Sequence, residues 1–310
     1  MKNTYRNIKF ALLRLFGLSL MILCVVVTNA CAQKNSNAST SVEPPADYEW
    51  FKVAENIYQF RYQHHYTLFV TTSKGIIAFD PLSNEAAEHY ASAIREVAPG
   101  KPLLAIIYTH WHVDHSSGAK ILLREFGNEI PVIAHQRTMS RLQRWNDPEI
   151  VLPTQTISDK GDILRYGGQL IELKYIGFGH TDTMLVARFP KQKLVFVVDF
   201  ANNDAVGWTD LPGWYIGELI NMQGRLLEMD FEKVAFAHGL PGDKKTIKRQ
   251  ISYYKELTRN AKRALNKDLT EDEAVALIEP VMQHYQHWHY YDDWFLLNIR
   301  GAYRWAKSSN

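Results

Sequence analysis

The chain has 310 residues, of which 46% are hydrophobic and 22% charged, a composition that excludes a disordered or fibrous protein. Its formal net charge is +2, but Lys2, Arg6, Lys9 and Arg14 fall in the first 31 residues, a stretch without Asp or Glu. Removing those four from 35 basic residues leaves 31 against 33 acidic ones, and so neutral a body offers no electrostatic footprint for nucleic acid.

Residues 1–31 read as an export signal. The basic region ends at Arg14, Leu15 to Thr28 is almost wholly apolar, and Ala30 and Ala32 supply small residues for cleavage. The expected address is the periplasm of a bacterium. Cys24 and Cys31 are the two cysteines, so the domain that follows carries no disulfide and no thiolate ligand. Cys31 resembles the lipidated cysteine of a bacterial lipoprotein. Residues 32–47 would then be a polar tether, and a lipid anchor the sole link to a membrane. Thr28 and Asn29 depart from the residues such signals carry. Simple cleavage near Ala32 and an uncleaved anchor helix are the alternatives, the apolar run being short for a span.

From residue 48 strands alternate with helices, without internal repeats. Apolar β-type runs occupy Gly75 to Phe79, Leu103 to Tyr108, Val132 to Ala134, Leu170 to Ile176, Met184 to Phe189, Leu194 to Val198 and Lys233 to Ala237. Helical periodicity fits Glu85 to Val97, Gly118 to Phe126, Ile216 to Met229 and Lys245 to Leu265. The alternation predicts an α/β domain over residues 48–250, with sheets covered by helices. Residues 251–310 read as two or three helices rich in Tyr, Trp and Leu, packed on that domain.

The decisive segment is Thr109 to His115, THWHVDH, directly after the apolar run LLAIIY. A buried strand delivers the chain to a sheet edge, where α/β folds place chemistry. His110, His112, Asp114 and His115 are four candidate metal ligands within six residues, and they cannot be buried cheaply unless something pairs with them. His-x-His alone is a common surface accident; the longer cluster behind a strand is far more specific. Neutral imidazoles with a carboxylate suit zinc, with iron or manganese as alternatives. Three later residues end apolar runs in the same way: His180 in GFGHT, Asp199 after KLVFVV and His238 after KVAFA. Each alone is weak, but strand ends converge at one edge.

With these residues in order, the chain resembles the metallo-β-lactamase superfamily over roughly residues 48–245. The Gly-His-Thr around His180, the Ala-His-Gly around His238 and the early element Gly75 to Pro81 add to the resemblance. It implies a four-layer αβ/βα sandwich with metals at one edge and a C-terminal helical extension. It also implies that His110, His112 and His180 hold a first Zn2+, that Asp114, His115 and His238 hold a second, and that Asp199 bridges them. A water between such ions is acidified towards neutral pH and becomes the nucleophile. Asp114 would orient it and assist proton transfer.

The expected reaction is hydrolysis of an ester, lactone, thioester or amide in a small carbonyl compound. Asp199 stands where the zinc β-lactamases with a thiolate ligand have Cys, which points to glyoxalase II-like and lactonase-like members. Asn202 stands where the quorum-lactone hydrolases carry Tyr, and no basic site for glutathione is evident. A mononuclear-iron thiol or persulfide oxygenase of the same fold is the alternative. A metal-binding lipoprotein without turnover is the second.

Other features are ambiguous. The loop 202–214 follows Asp199, so Asn202, Trp208 and Trp214 are expected either to contact substrate or to anchor a surface loop. Trp111 is expected to turn its side chain away from the metals. His64, His65 and Tyr66 precede the strand containing Phe69 and Val70 and read as ordinary edge-strand residues, with substrate contact from an early strand near the site as the alternative; His89 and His135 read as structural or surface residues. His284, His287 and His289, crowded by aromatic residues, read as helix packing or a cap over the pocket.

Overall fold

The computed structural model describes residues 47–309; the export signal, Cys31 and all but the last residue of the tether lie outside the described residues. The chain first runs as an antiparallel meander of β1 (Tyr48–Ala54), β2 (Ile57–Tyr62), β3 (His65–Thr71) and β4 (Ile76–Phe79). It then changes to parallel crossovers. α1 (Asn84–Val97) leads to β5 (Leu103–Ile107), α2 (Val113–Ser116) and α3 (Ala119–Phe126) to β6 (Val132–His135), and α4 (Gln136–Trp145) to β7 (Gln155–Ile157). These seven strands form one sheet in sequential order.

The second sheet is built from β8 (Asp162–Tyr166), β9 (Gln169–Gly177), β10 (Met184–Phe189) and β11 (Leu194–Val197), all antiparallel neighbours. α5 (Ile216–Leu227) crosses over to β12 (Lys233–Phe236), which pairs parallel with β11. The chain ends in α6 (Lys244–Leu265), α7 (Glu271–Ile278), a 3-10 turn Pro280–Tyr285 and α8 (Tyr291–Ser308). α6 runs without a break across position 250.

The period of two along each strand sorts side chains into three cores. On β4, Ile76 and Ala78 pack with Ala86, Tyr90 and Ile94 of α1 and Leu122 of α3. Their neighbours Ile77 and Phe79 face Phe196 and Val198 in the layer between the sheets. On β11, Val195 and Val197 face Leu219 and Met222 of α5 and the C-terminal helices, while Leu194 and Phe196 face inward. The result is the expected αβ/βα sandwich, with the central strands of both sheets buried on both faces. That is why β4, β5 and β11 read as unbroken apolar runs.

The C-terminal helices are tied to the loop after Asp199 by one buried amide. The nitrogen of Asn298, on α8, lies 2.8 Å from the carbonyl of Gly207 and 2.7 Å from that of Thr209. Its oxygen accepts from the Gly207 N–H at 2.8 Å and the Tyr253 hydroxyl at 2.8 Å. A Cβ on Gly301 would meet the Asp210 carbonyl oxygen at 2.0 Å, so only glycine lets α8 approach this loop. Asn298→Ala strands several buried donors and acceptors at once. It is expected to destabilise the protein by about 2–4 kcal/mol, read as a lower urea midpoint at unchanged slope. A loss below about 0.5 kcal/mol, the range of ordinary surface substitutions, would show that the amide is not the clamp.

Candidate metal centre

Four chain segments leave the two sheets at the same edge. The turn after β5 carries His110 to His115, the turn after β9 carries His180, and β11 and β12 run directly into Asp199 and His238. The turn before His180 is held close: a Cβ on Gly179 would meet the Leu219 N at 2.5 Å, so the backbone lies against the start of α5. Asp199 adopts φ +59°, a left-handed conformation that Asp tolerates better than most residues. The strand therefore ends with a sharp turn of the carboxylate towards the histidines.

His110, His112, His180 and Asp199 place their ligand atoms within 4.8 Å of one another, as do His65, His115 and His238. Within the first group, His180 Nε2 lies 3.0 Å from His112 Nδ1 and 3.2 Å from Asp199 Oδ2. His110 Nε2 is 3.1 Å from the same oxygen. Within the second, Asp114 Oδ2 lies 3.6 Å from His115 Nε2 and 3.3 Å from His65 Nε2. Asp199 joins the groups, with Oδ1 at 3.0 Å from His238 Nε2 and Oδ2 at 3.5 Å from His115 Nε2.

The arrangement fits cations rather than hydrogen bonds. His110 Nε2, both ring nitrogens of His115 and Asp199 Oδ1 are buried without a hydrogen-bond partner, although opposing polar atoms stand close by. Lone pairs thus converge on shared points instead of on each other's protons, a costly arrangement unless a cation occupies those points. Burial, reinforced by the neighbouring imidazoles, pushes the pKa of His112 down to about 3. Burial also lowers His110, so both keep the neutral, ligating form. Burial opposes the charge on His115, but Asp199, Asp80 and Asp114 outweigh it and raise its pKa well above the ordinary range.

Outer contacts orient these rings. Asp80, fully buried at the end of β4, accepts from the Thr109 N–H at 2.7 Å and the Thr109 hydroxyl at 2.7 Å. It also stands 3.6 Å from His115 Nδ1. His238 Nδ1 donates to the His64 carbonyl at 3.0 Å, leaving Nε2 directed at Asp199. Partners of this kind set the tautomer and orientation of metal-binding histidines.

Two members of the assembly are not among the ligands of the sequence reading. Asp80 has a signal, an acid closing an apolar strand in the element Gly75 to Pro81. His65 has only its place on an early strand, and its reading as an edge-strand residue is corrected: β3 lies between β2 and β4, and the His65 ring meets His238 at 5.0 Å. Trp214 is buried and stands edge-on to His180 at 5.3 Å, a wall of the first group. Trp208 is 55% exposed, and Asn202 is buried with its N–H donating to Gln250. Trp111 packs on the helix-side core and against Trp145. His89 stacks on Tyr48, His135 caps α4 and bonds Asp159, and His284 pairs with Glu256. His289 joins the loop after Asp199 through its backbone, and the next residue, Tyr290, reaches His64.

Comparison with known proteins agrees with this geometry. The family model described as the Metallo-beta-lactamase superfamily matches residues 61–244, more than half of the chain and every residue of both groups. The alpha subunit of 2,4-dinitroanisole O-demethylase from Nocardioides sp. is 29% identical over 175 residues, 56% of this chain and 52% of that one. A linear primary-alkylsulfatase from Pseudomonas sp. is 40% identical over 77 residues, 24% of this chain and 11% of that one. The chain thus spans about half the length of the first relative and about a ninth of the second. Hydroxyacylglutathione hydrolase of Haemophilus influenzae is 26% identical over 188 residues, 57% of this chain and 86% of that one.

Among solved structures, a metallo-beta-lactamase from Pontibacter korlensis superposes with TM-score 0.58 at 21% identity, covering 67% of this chain and 99% of its own. A sec-alkylsulfatase from Pseudomonas sp. superposes with TM-score 0.66 at 16% identity, covering 82% of this chain and 49% of its own. The larger share reaches into the C-terminal helices, which the sandwich alone cannot supply. Fold and clustered ligand-type side chains together define the class. The chain belongs to the metallo-beta-lactamase superfamily.

Proposed function

We propose that the protein is a dinuclear zinc hydrolase that cleaves an ester, lactone, thioester or amide bond of a small carbonyl compound. The observation that carries this reading is the Asp199 carboxylate, which stands between the two ligand groups, with Oδ2 beside His110, His180 and His115 and Oδ1 beside His238. His110, His112 and His180 would hold one ion, and Asp114, His115 and His238 the other. A donor set of imidazoles and carboxylates without thiolate suits zinc. When bound, the two ions supply a water acidified towards neutral pH and a Lewis-acid clamp on the scissile group.

The protein's own groups supply the rest. Asp114 keeps 52% of its side chain exposed while Oδ2 faces the second group, so it stands where a proton can be taken up and returned to solvent. Trp214 shields the His180 side, and Asp80 and the His64 carbonyl hold the rings in their ligating orientation. The hydroxyacylglutathione hydrolase relative, most of whose length this chain covers, supports hydrolysis of a carbonyl substrate. The apolar run before Cys31 and the polar stretch behind it support export and anchoring through a lipid on Cys31.

The test is removal and return of metal on a panel of a lactone, a thioester, an aryl ester and a cephalosporin. Chelation is expected to abolish turnover of the accepted substrate, and zinc to restore it. Zinc at about 1,000 times its dissociation constant is expected to add about 4 kcal/mol of stability, read as a rise in melting temperature. Full turnover by metal-free protein would refute the proposal.

A further inference from the structure

We infer that His65 supplies a third imidazole nitrogen to the second half of the centre. The second ion is then held by His65, Asp114, His115 and His238, with Asp199 between the two ions. This rests on the dinuclear reading above.

The position of His65 is dictated from two sides. It closes the β2–β3 hairpin opposite Tyr62, and the next residue, Tyr66, donates its N–H to the Ala237 carbonyl at 2.8 Å. That bond stitches the start of β3 in one sheet to the residue just before His238 in the other. His64 lies in the hairpin turn and His65 opens β3, and the two adjacent histidines diverge. His64 faces Tyr290, whose hydroxyl is 3.2 Å from its Nδ1. His65 faces the turn that carries Asp114 and His115.

The ring sits where a ligand would. His65 Nε2 lies 3.3 Å from Asp114 Oδ2, and the ring meets those of His115 at 5.8 Å and His238 at 5.0 Å. Ligand nitrogens of all three rings fall within 4.8 Å of one another. Among the described residues, Asp114 is the carboxylate beside them apart from Asp199 and the already engaged Asp80. His65 would add a neutral nitrogen to the donor set of Asp114, His115 and His238, which tightens binding without added negative charge.

The test is zinc titration of the full chain against a chromophoric chelator, with His65→Ala, His65→Gln and His64→Ala beside the unaltered protein. The unaltered protein is expected to take two ions, and His64→Ala to do the same. His65→Ala is expected to weaken the second ion by on the order of 10–100-fold or more, at least the loss seen for outer contacts. The first ion's affinity should not change, which also reports that the variant is folded. His65→Gln separates binding from orientation: an amide can still donate to Asp114 but cannot replace an imidazole ligand. Second-ion affinity unchanged in His65→Ala, or restored in His65→Gln, would overturn the inference while two ions in the unaltered protein keep the dinuclear reading. A single ion in the unaltered protein would overturn that reading instead.

Discussion

Asp199→Asn is expected to cut kcat/KM by more than the roughly 10–100-fold that changes around a metal site's outer contacts cost, and to lower the affinity for both ions. The substitution keeps the shape of the side chain and removes the charge. The carboxylate faces four imidazoles, with His110, His115 and His180 on one oxygen and His238 on the other. Two cations so close together need that counter-charge. Burial alone would raise the Asp199 pKa, yet His115, His110 and His180 hold it well below the carboxylate range, so the residue is anionic at every working pH. None of the three cores includes Asp199, and circular dichroism should remain native. A variant that keeps a tenth or more of its activity with two ions bound would contradict the bridging role.

Asp80→Ala is expected to be the most damaging change to stability near the site, at about 3 kcal/mol or more. The side chain is fully buried, and its two oxygens take both the N–H and the hydroxyl of Thr109. Truncation leaves the buried Thr109 N–H without its acceptor, leaves the hydroxyl only His110 Nδ1 at 3.2 Å, and frees the His115 ring on its Nδ1 side. Asp80→Asn retains an acceptor and should cost less. Urea unfolding measures the first effect, and zinc titration the second, expected at about 10–100-fold for a contact of this kind. A loss below about 1 kcal/mol in Asp80→Ala would mean that Thr109 finds other partners.

The sandwich was legible where burial is extreme. Runs such as LLAII and LVFV are buried on both faces, so hydrophobicity alone marks them as strands. α4, β7 and β8 were not legible because little of them is buried: α4 hides only Thr138 and Leu142, β7 only Ile157, and β8 no residue fully. Seven ligand-type residues at strand ends were legible because carboxylates and imidazoles behind apolar runs have no cheap structural excuse. His65 was not, since its role depends on the Tyr66–Ala237 bond between two sheets and on the turn after β5, and no local spacing reports either. The clamp at Asn298 is equally non-local, joining α8 to a loop about ninety residues earlier.

The most direct measurement is anomalous diffraction at the zinc edge from crystals of the protein grown with zinc. Two peaks are predicted, one enclosed by His110, His112 and His180, the other among His65, Asp114, His115 and His238, with the Asp199 carboxylate between them. A single peak that scatters at the iron edge, or no peak at this edge of the sheets, would contradict the dinuclear account.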